Sequence, residues 1–279
     1  MRLLLAIAAA AVAVSACHAS CNSWGATGPQ NVEIPLRDGQ LKAVLFRPEG
    51  PGPFPVVVGL HNCAGIGSAR NPVFGQYRDW AEQLTKAGFA VLLPDSYGSR
   101  GFGPQCGERS RVRVDRERVA DAIAARVWLQ QQSWVTPTHV SLLGWSNGAI
   151  TVLWTVRART AVKDGLDFRS AVAFYPGCQR LTRTAWSARV PTLILIGRLD
   201  DQASAAACEQ MVAGARGRSA RVATHVYPGA YHDFDHPTRA VQVRSGFAFS
   251  TDGTGRAHTG TNPAARAGAL KRVPEWLAQ

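Results

Sequence analysis

The amino-acid sequence predicts a single α/β domain with an open, mostly parallel, doubly wound sheet that begins with an antiparallel hairpin. Three observations support this fold class. Short apolar runs typical of buried strands alternate with helical patterns, no internal repeat or linker divides the predicted domain, and a chain of 279 residues can share one hydrophobic core. Hydrophobic residues make up 46% of the chain and charged residues 18%, which excludes a disordered protein.

The chain opens with a segment that has the pattern of a secretory signal peptide. A positive start is followed by an apolar run too short for a permanent membrane span, and then by small residues. Two cleavage sites fit. Cleavage before Ser20 removes residues 1–19, whereas a match to the lipobox of bacterial lipoproteins makes Cys17 a lipidated first residue. Both predict an exported protein, either periplasmic or secreted, or anchored to a membrane. A linker over 20–31 then leads into the folded domain, 32–279.

The predicted sheet starts with a hairpin. Residues 32–50 alternate in polarity around Asp38-Gly39, a dipeptide typical of tight hairpin turns. The runs that follow are apolar almost throughout, as expected of parallel strands buried on both faces. These runs are residues 55–60, 89–94, 139–144, 170–176, 191–197 and 220–228.

Helical patterns separate the predicted strands. They cover residues 74–88, 115–132, 147–158 and 203–216. In the second of these segments, apolar residues recur at helical spacing and give the helix one apolar face. A last helix is predicted after Asn262, with an interruption near Pro274.

One long segment, 95–114, has no regular pattern. Loops of this length in a compact domain are usually functional. This one follows the carboxyl end of a strand, where open α/β sheets bind their ligands. Asp95, its first residue, is expected to organise the loop.

The chain is basic, with a formal net charge of +12. Most basic residues are scattered. The one dense run alternates with acidic residues over 108–118 and includes Arg118. This pattern predicts a solvated face where the loop meets the next helix, with an anionic partner as the alternative. The charge distribution therefore does not predict nucleic-acid binding.

The strongest chemical signal is the sequence GWSNG at residues 144–148. It directly follows a predicted buried strand and precedes a helical pattern, which is the setting of the G-x-S-x-G nucleophile turn. Such a turn is so tight that a Cβ on either side of the serine would strike neighbouring strands. It also lifts the hydroxyl above the sheet. Ser146 is therefore the predicted nucleophile.

A serine hydroxyl reacts only when a neighbouring base takes its proton. Asp200 and His232 each follow the carboxyl end of a later predicted strand, in the order serine, acid, histidine. Asp200 is predicted to orient His232 and to stabilise its positive form. Asp201 is the alternative acid and His236 the alternative base.

An acyl-transfer site also needs donors for the developing oxyanion. The backbone N–H of Asn147, directly after the serine, is one predicted donor. The loop after the first parallel strand reads HNCAG at residues 61–65, and the N–H of Cys63 is the second predicted donor. The alternative is that this loop is only a turn.

Several motifs occur in a fixed order along the chain: HNCAG, LLPDSYGSRG, GWSNG, AFYPGC, IGRLDD and YPGAYHDF. Together they resemble the dienelactone hydrolase family over roughly residues 32–278. The resemblance implies an α/β-hydrolase fold with no large cap domain, acting on small esters or lactones. The name-giving enzymes use a cysteine nucleophile where this chain has Ser146, which favours ordinary ester chemistry.

Four cysteines lie inside the predicted domain without a spacing typical of metal sites, so no metal is predicted. Export would place them where thiols can be oxidised. The strand order of the family brings the loops of Cys63 and Cys106 together and places Cys178 near the helix of Cys208. The resemblance therefore implies disulfides Cys63–Cys106 and Cys178–Cys208, with four free thiols as the alternative.

These features predict an exported serine hydrolase that cleaves small esters or lactones through an acyl-enzyme, without metal, organic cofactor or nucleic-acid partner. Tyr97, Arg100, Trp145 and Tyr231 are candidates for the substrate pocket. Arg100 is also a candidate for a bidentate contact with a substrate carboxylate. The alternatives are an acyltransferase or peptidase with the same residues, and a non-catalytic envelope-binding protein on the same scaffold.

Overall fold

The computed structural model describes residues 28–107, 110–160, 162 and 165–279. The predicted signal peptide, with Cys17 and both cleavage sites, lies outside the described residues. In the part of the chain that is described, no helix is both long and apolar enough to cross a membrane.

The described chain folds around one eight-stranded sheet. Its strands are β1 (Gln30–Leu36), β2 (Gly39–Phe46), β3 (Phe54–Leu60), β4 (Ala90–Pro94), β5 (Val135–Trp145), β6 (Ala171–Phe174), β7 (Thr192–Gly197) and β8 (Val222–Tyr227). They lie in the order β1-β2-β4-β3-β5-β6-β7-β8. The pairs β1–β2 and β2–β4 are antiparallel. Every other neighbouring pair in this sheet is parallel. The predicted mostly parallel sheet with an N-terminal hairpin is confirmed.

The hairpin begins slightly earlier than predicted. β1 starts at Gln30, inside the segment assigned to the linker, and Gln30 pairs with Leu45. The connection consists of Arg37 and Asp38, and Gly39 already belongs to β2. Gly39 has φ +117°, a conformation that residues with a Cβ rarely adopt, which explains the glycine after the turn.

Helices cover the sheet between the strands. They are α1 (Gly75–Lys86), α2 (Glu117–Gln130), α3 (Asn147–Thr155), α4 (Gln179–Thr182), α5 (Ala205–Gly214) and α6 (Pro263–Leu277). Ser204 and Asn262 cap α5 and α6 by accepting hydrogen bonds from backbone N–H groups of the first turn. The short α4 has no counterpart in the sequence predictions.

Three inner strands of the sheet are buried along their whole length. Every residue of β4, β6 and β7 is buried. By contrast, β8 lies at the edge of the sheet and five of its six residues are only partly buried. The continuous apolar runs therefore mark strands with helices on both faces, as the sequence predicts.

The last helix does not break at Pro274, so the predicted interruption is wrong. Proline removes one N–H donor from the helix. The chain nevertheless remains helical to Leu277, and the N–H of Ala278 bonds to the carbonyl of Pro274. Val273, Trp276 and Leu277 are buried in the core, and this packing holds the last turn.

A second, two-stranded sheet was not predicted. β9 (Gln242–Ser245) and β10 (Arg256–Thr259) form an antiparallel hairpin between β8 and α6. All residues of β9 are exposed. Because neither face of this strand is buried, its sequence has no alternation of apolar and polar residues from which a strand could be predicted. The connection between its strands contacts two other loops, through hydrogen bonds from Ala248 N to Cys106 O (3.0 Å) and from Thr251 N to Asp201 O (2.7 Å).

Asp95 organises the start of the long loop after β4, as the sequence predicts. One carboxylate oxygen accepts hydrogen bonds from the backbone N–H groups of Tyr97 (3.2 Å) and Gly98 (2.8 Å). A short 3₁₀ turn over Gly98–Arg100 follows. The carboxylate therefore fixes the backbone at Tyr97 and at the start of the turn that carries Arg100.

Both expected disulfides are present. Cys63–Cys106 joins the loop after β3 to the long loop after β4, and Cys178–Cys208 joins the start of α4 to α5. Disulfides persist mainly in oxidising compartments. The two bridges therefore indicate an extracellular or periplasmic protein.

We expect the double variant Cys178→Ala/Cys208→Ala to lose about 3–4 kcal/mol of unfolding free energy, because a bridge across 30 residues restricts the unfolded chain. Urea unfolding of the oxidised variant and oxidised wild type measures the difference. Wild type treated with reductant is the control and should lose at least as much, since it loses both bridges. A loss below about 1 kcal/mol would contradict this role of the bridge.

Candidate active site

Ser146 alone forms the turn between β5 and α3. Its backbone has φ 51° and ψ −112°, a sparsely populated conformation for a residue with a Cβ. Hydrogen bonds hold the turn on both sides: Ser146 N donates to Phe174 O (3.0 Å) and Ile150 N donates to Ser146 O (2.9 Å). The surrounding sheet and helix therefore hold Ser146 in this strained conformation. Ser146 itself belongs to neither β5 nor α3.

Both glycines of the motif exclude a side chain, Gly148 against a neighbouring strand as predicted and Gly144 against α3 instead. A Cβ on Gly148 would lie 2.0 Å from the carbonyl oxygen of Leu60 and 2.6 Å from that of His61. A Cβ on Gly144 would lie 2.6 Å from the backbone of Gly148. The N-terminus of α3 can therefore lie directly against the end of β3 only because both residues are glycine.

The structure brings Ser146, His232 and Asp200 into one hydrogen-bonded chain. His232 Nε2 lies 2.9 Å from Ser146 Oγ, and His232 Nδ1 lies 2.8 Å from Asp200 Oδ2. The other oxygen of Asp200 accepts from the N–H groups of Gln202 (3.0 Å) and Ala203 (2.7 Å). An ionised carboxylate only accepts, so Nδ1 carries the proton of a neutral His232 and Nε2 is free to accept from the serine.

The alternative acid and base take part in other contacts. Asp201 Oδ2 lies 2.7 Å from His258 Nδ1, and its Oδ1 accepts from His258 N (2.8 Å). His236 Nδ1 accepts a hydrogen bond from Thr238 N (3.2 Å). In the described structure it is Asp200 and His232, and not these neighbours, that bond to each other and reach Ser146.

The loop after β3 is held in place by its own side chains and by its neighbours. Asn62 Oδ1 accepts from Ala64 N (2.8 Å), and Asn62 N donates to the hydroxyl of Tyr77 (2.9 Å). The carbonyl of Cys63 accepts from Gln105 N (2.7 Å) beside the disulfide. Among the described residues, the N–H groups of Cys63 and Asn147 donate to no other group, so both remain available to a ligand.

Arg118, in the run predicted to be solvated, is fully buried, so that prediction is wrong for this residue. The charge run ends in the first turn of α2, and this turn directs Arg118 inward. Its Nη1 donates to Asn147 Oδ1 and its Nη2 donates to His61 O (2.7 Å). Tyr97, predicted to line the substrate pocket, is also buried, and its hydroxyl donates to the same Asn147 oxygen (3.0 Å).

Arg100 does not present its guanidinium to a substrate, contrary to the prediction. It makes the expected kind of bidentate contact, but with Asp121, at 2.7 and 2.9 Å. The Asp121 side chain is fully buried, and the guanidinium neutralises its charge while donating to both of its oxygens. One Arg100 nitrogen also donates to Ser96 O (2.8 Å). Arg100 thus connects α2 to the long loop.

The two aromatic pocket candidates differ in position. Trp145 is 1% exposed; its ring packs between Tyr77 and Phe174, so it belongs to the core and the prediction is wrong. Tyr231 is partly buried beside His232 and stacks on His258 with ring centroids 4.7 Å apart. Of the two, only Tyr231 remains a candidate for the pocket wall.

A buried polar cluster behind His232 was missed by sequence reasoning. The Tyr175 ring lies 4.4 Å from the His232 ring, and its hydroxyl donates to Asp235 (2.6 Å). Asp235 is fully buried and also accepts from the indole N–H groups of Trp80 (2.6 Å) and Trp145 (2.9 Å). Burial and the neighbouring Asp235 charge raise the pKa of Tyr175 well above its usual value, so it remains a donor. The cluster ties the loop that carries His232 to the core.

A cavity of about 560 Å³ lies beside the loop after β3. Its wall includes Ala64, Gly65, Tyr97 and Phe102, together with residues of β1 and β2. The side chains of the hydrogen-bonded chain at Ser146 are not among its lining residues. It therefore adjoins the loop after β3 rather than Ser146.

A serine on a strand-to-helix turn, followed by an acid and a histidine after later strands of a mostly parallel sheet, defines the α/β-hydrolase fold. The sequence profile of the dienelactone hydrolase family matches residues 41–279. The chain therefore belongs to this family of hydrolases, and the resemblance carried by the sequence motifs is confirmed.

Solved structures share the fold. A dienelactone hydrolase candidate from Klebsiella pneumoniae aligns with a TM-score of 0.68 and 19% identity, covering 91% of this chain and 99% of that one. A dienelactone hydrolase-like promiscuous phosphotriesterase, P91, from metagenomic libraries gives a TM-score of 0.66 and 19% identity over 91% and 98%. Esterase 2 of Thermogutta terrifontis, phosphorylated by paraoxon, gives 0.60 and 18% over 90% and 94%.

One curated relative shows a local similarity. Mitochondrial acyl-coenzyme A thioesterase 2 of Rattus norvegicus is 32% identical over 115 residues. The aligned segment covers 41% of this chain and 22% of the thioesterase. The chain thus matches about a fifth of that enzyme's length.

We expect Gly148→Ala to lower the unfolding free energy by about 2–4 kcal/mol, because its methyl group would collide with backbone carbonyls that cannot move without disturbing β3. Urea unfolding measures the change. Gly75→Ala, in the first turn of α1, is the matched control. No atom lies within 4 Å of its Cβ position, so this variant should keep or slightly raise the stability. Equal stability of the two variants would contradict the proposed collision.

Proposed function

We propose that this protein is an exported serine hydrolase that cleaves small carboxylic esters or lactones through an acyl-enzyme. The observation that carries the proposal is the continuous series of hydrogen bonds from Ser146 Oγ through His232 to Asp200. Ser146 lies on the tight turn between β5 and α3. Family membership supports the hydrolase class.

In the first half of the reaction, Ser146 Oγ attacks the ester carbonyl carbon while His232 Nε2 takes the hydroxyl proton. The carbonyl electron pair moves to oxygen and gives a tetrahedral oxyanion. When the pair returns, the bond to the alcohol breaks and His232 gives its proton to the leaving oxygen. Asp200 stabilises the imidazolium that exists between these two transfers.

In the second half, water replaces the alcohol. His232 takes a proton from water while the water oxygen attacks the acyl carbon, and a second oxyanion forms. Collapse releases the carboxylic acid, and the proton returns to Ser146 Oγ. The same two residues thus serve both halves, and the enzyme regains its starting state.

The oxyanion is assigned to the backbone N–H groups of Cys63 and Asn147. Their segments are in contact, because Gly148 lies against the carbonyls that end β3. Both N–H groups lack an acceptor among the described residues, which supports their availability. Donors held in place before the reaction stabilise developing charge without having to reorganise.

The small size of the proposed substrates rests on what covers the site. In the described residues, the β9–β10 hairpin is the only sheet outside the main one, and no cap domain is present. The local similarity to a thioesterase supports acyl substrates in general. Ser146 stands where the name-giving enzymes have cysteine, which favours ordinary esters over dienelactones.

Export is the second part of the proposal. The start of the sequence has the charge and apolar pattern of a signal peptide, with cleavage before Ser20 or lipidation at Cys17. The two disulfides support the same compartment. The proposed site of action is therefore the periplasm or the cell exterior.

We expect Ser146→Ala to lower kcat for p-nitrophenyl butyrate by at least about 10³-fold, since it removes the nucleophile. Asp200→Asn and His232→Asn should lose a similar factor, because each interrupts proton transfer. Steady-state kinetics on folded, purified variants measures these losses.

The neighbouring residues provide the matched controls. Asp201→Asn and His236→Asn change the same side-chain types one and four positions away, outside the hydrogen-bonded chain. Each should retain kcat within about tenfold of wild type. Activity lost in Asp201→Asn and kept in Asp200→Asn would reverse the assignment of the acid.

A further inference from the structure

Arg118 is buried beside the proposed oxyanion donors, with no carboxylate partner among the described residues. Its exposed fraction is 0%, and among the described residues no carboxylate lies within ion-pair distance of it. Its Nε likewise finds no acceptor within the described part of the chain. By contrast, Arg100, Arg189 and Arg266, which are more exposed, all pair with aspartates. Burying an unneutralised charge is costly, so its presence here calls for a compensating role.

The guanidinium contacts both segments that carry the proposed donors. Nη1 donates to the side-chain oxygen of Asn147, whose own N–H is one donor. Nη2 donates to the carbonyl of His61 at 2.7 Å, two residues before Cys63. One rigid, planar group therefore links the start of α3 to the start of the loop after β3.

Tyr97 completes the arrangement. Its hydroxyl donates to Asn147 Oδ1 at 3.0 Å, and its ring lies under the guanidinium, 5.2 Å from ring centroid to Cζ. The Asn147 amide oxygen therefore receives two hydrogen bonds, which fix its orientation. An aromatic face stabilises a cation without neutralising its charge.

Three titratable groups that interact with Arg118, His61, Tyr77 and Tyr97, are neutral near pH 7, and burial raises the pKa of Tyr77. Burial, together with the charge of Arg118, lowers the pKa of His61 well below its usual value. His61 Nε2 accepts from Ser96 N (3.3 Å), so the ring proton sits on Nδ1 and points to Asn62 O (2.7 Å). Burial raises the pKa of Tyr97. Among the residues that the structure describes, no carboxylate pairs with Arg118, so its positive charge is available to a negative charge that forms nearby.

We propose that Arg118 is a positioning residue of the oxyanion hole, which aligns the N–H groups of Asn147 and Cys63 and stabilises the oxyanion with its unneutralised charge. The inference rests on the proposed function, since the oxyanion on the acyl carbon is the transient negative charge of that reaction. Arg118 acts through Asn147, through the His61 carbonyl and through its field, and it does not contact the substrate.

A short-chain alkyl trifluoromethyl ketone tests the proposal, because serine adds to it to give a stable hemiketal. ¹⁹F NMR over a pH titration gives the pKa of the hemiketal hydroxyl, which reports directly on stabilisation of the oxyanion. In Arg118→Met we expect this pKa to rise by at least about one unit and kcat for p-nitrophenyl butyrate to fall about 10–100-fold with little change in KM. In Arg118→Lys, which keeps the charge, we expect most of the pKa depression to remain.

Arg126 provides the matched control. It lies two turns further along α2, is 2% exposed, and donates to the carbonyl of Leu166, away from the site. Arg126→Met should lose stability as Arg118→Met does, but keep the hemiketal pKa and kcat of wild type. If Arg118→Met does not fold, Asn147→Ala replaces it. That variant keeps the backbone N–H but loses the oxygen that Arg118 holds, so kcat should fall and the hemiketal pKa should rise.

A folded Arg118→Met with the wild-type hemiketal pKa and kcat would overturn the proposal. So would a wild-type hemiketal pKa and kcat in Asn147→Ala, where only that variant folds. Failure of the proposed function gives a different result: if Ser146 is not the nucleophile, either wild type shows no bound ¹⁹F signal or Ser146→Ala shows the same signal as wild type.

Discussion

The close approach of α3 to the end of β3 determines the geometry of the site. Gly148 lies against the carbonyls of Leu60 and His61 with no space for a side chain. β3 and β5 pair in a register that matches Leu60 with Gly144, so the contact is fixed by the centre of the sheet. Because of it, the turn bearing Ser146 and the loop after β3 lie side by side, and one buried arginine can reach both.

The histidine reaches this site from the other side, on a loop that the core also holds. Asp235, three residues after His232, accepts hydrogen bonds from several buried neutral donors. Tyr175 is one of them, and its ring also contacts the imidazole. A buried carboxylate is tolerated only when its hydrogen bonds are satisfied, so the loop is fixed where it meets Ser146. The contact between α3 and β3 thus positions Ser146, and the hydrogen bonds of Asp235 position His232. One hydrogen bond joins the two residues.

The mostly parallel sheet with its N-terminal hairpin and the meeting of Ser146, Asp200 and His232 could be predicted, because apolar runs mark buried strands and parallel strands end at one edge of the sheet. The disulfide pairing needed the family resemblance. The direction of individual side chains could not be predicted. A run of alternating charges is the same sequence whether a helix turns Arg118 outward or inward, and only the packing of α2 decides. Trp145 is a similar case, since its core position depends on partners distant in the chain.

The central claim is that the reaction passes through an acyl group on Ser146, and trapping that group tests it most directly. Wild type is mixed with p-nitrophenyl butyrate, quenched in acid within the first turnover, digested, and mapped by mass spectrometry. The account predicts one butyryl group per active enzyme, on the peptide that carries Ser146, and none in Ser146→Ala. A stoichiometric adduct on another residue, or a full burst of nitrophenol with no adduct, would contradict it.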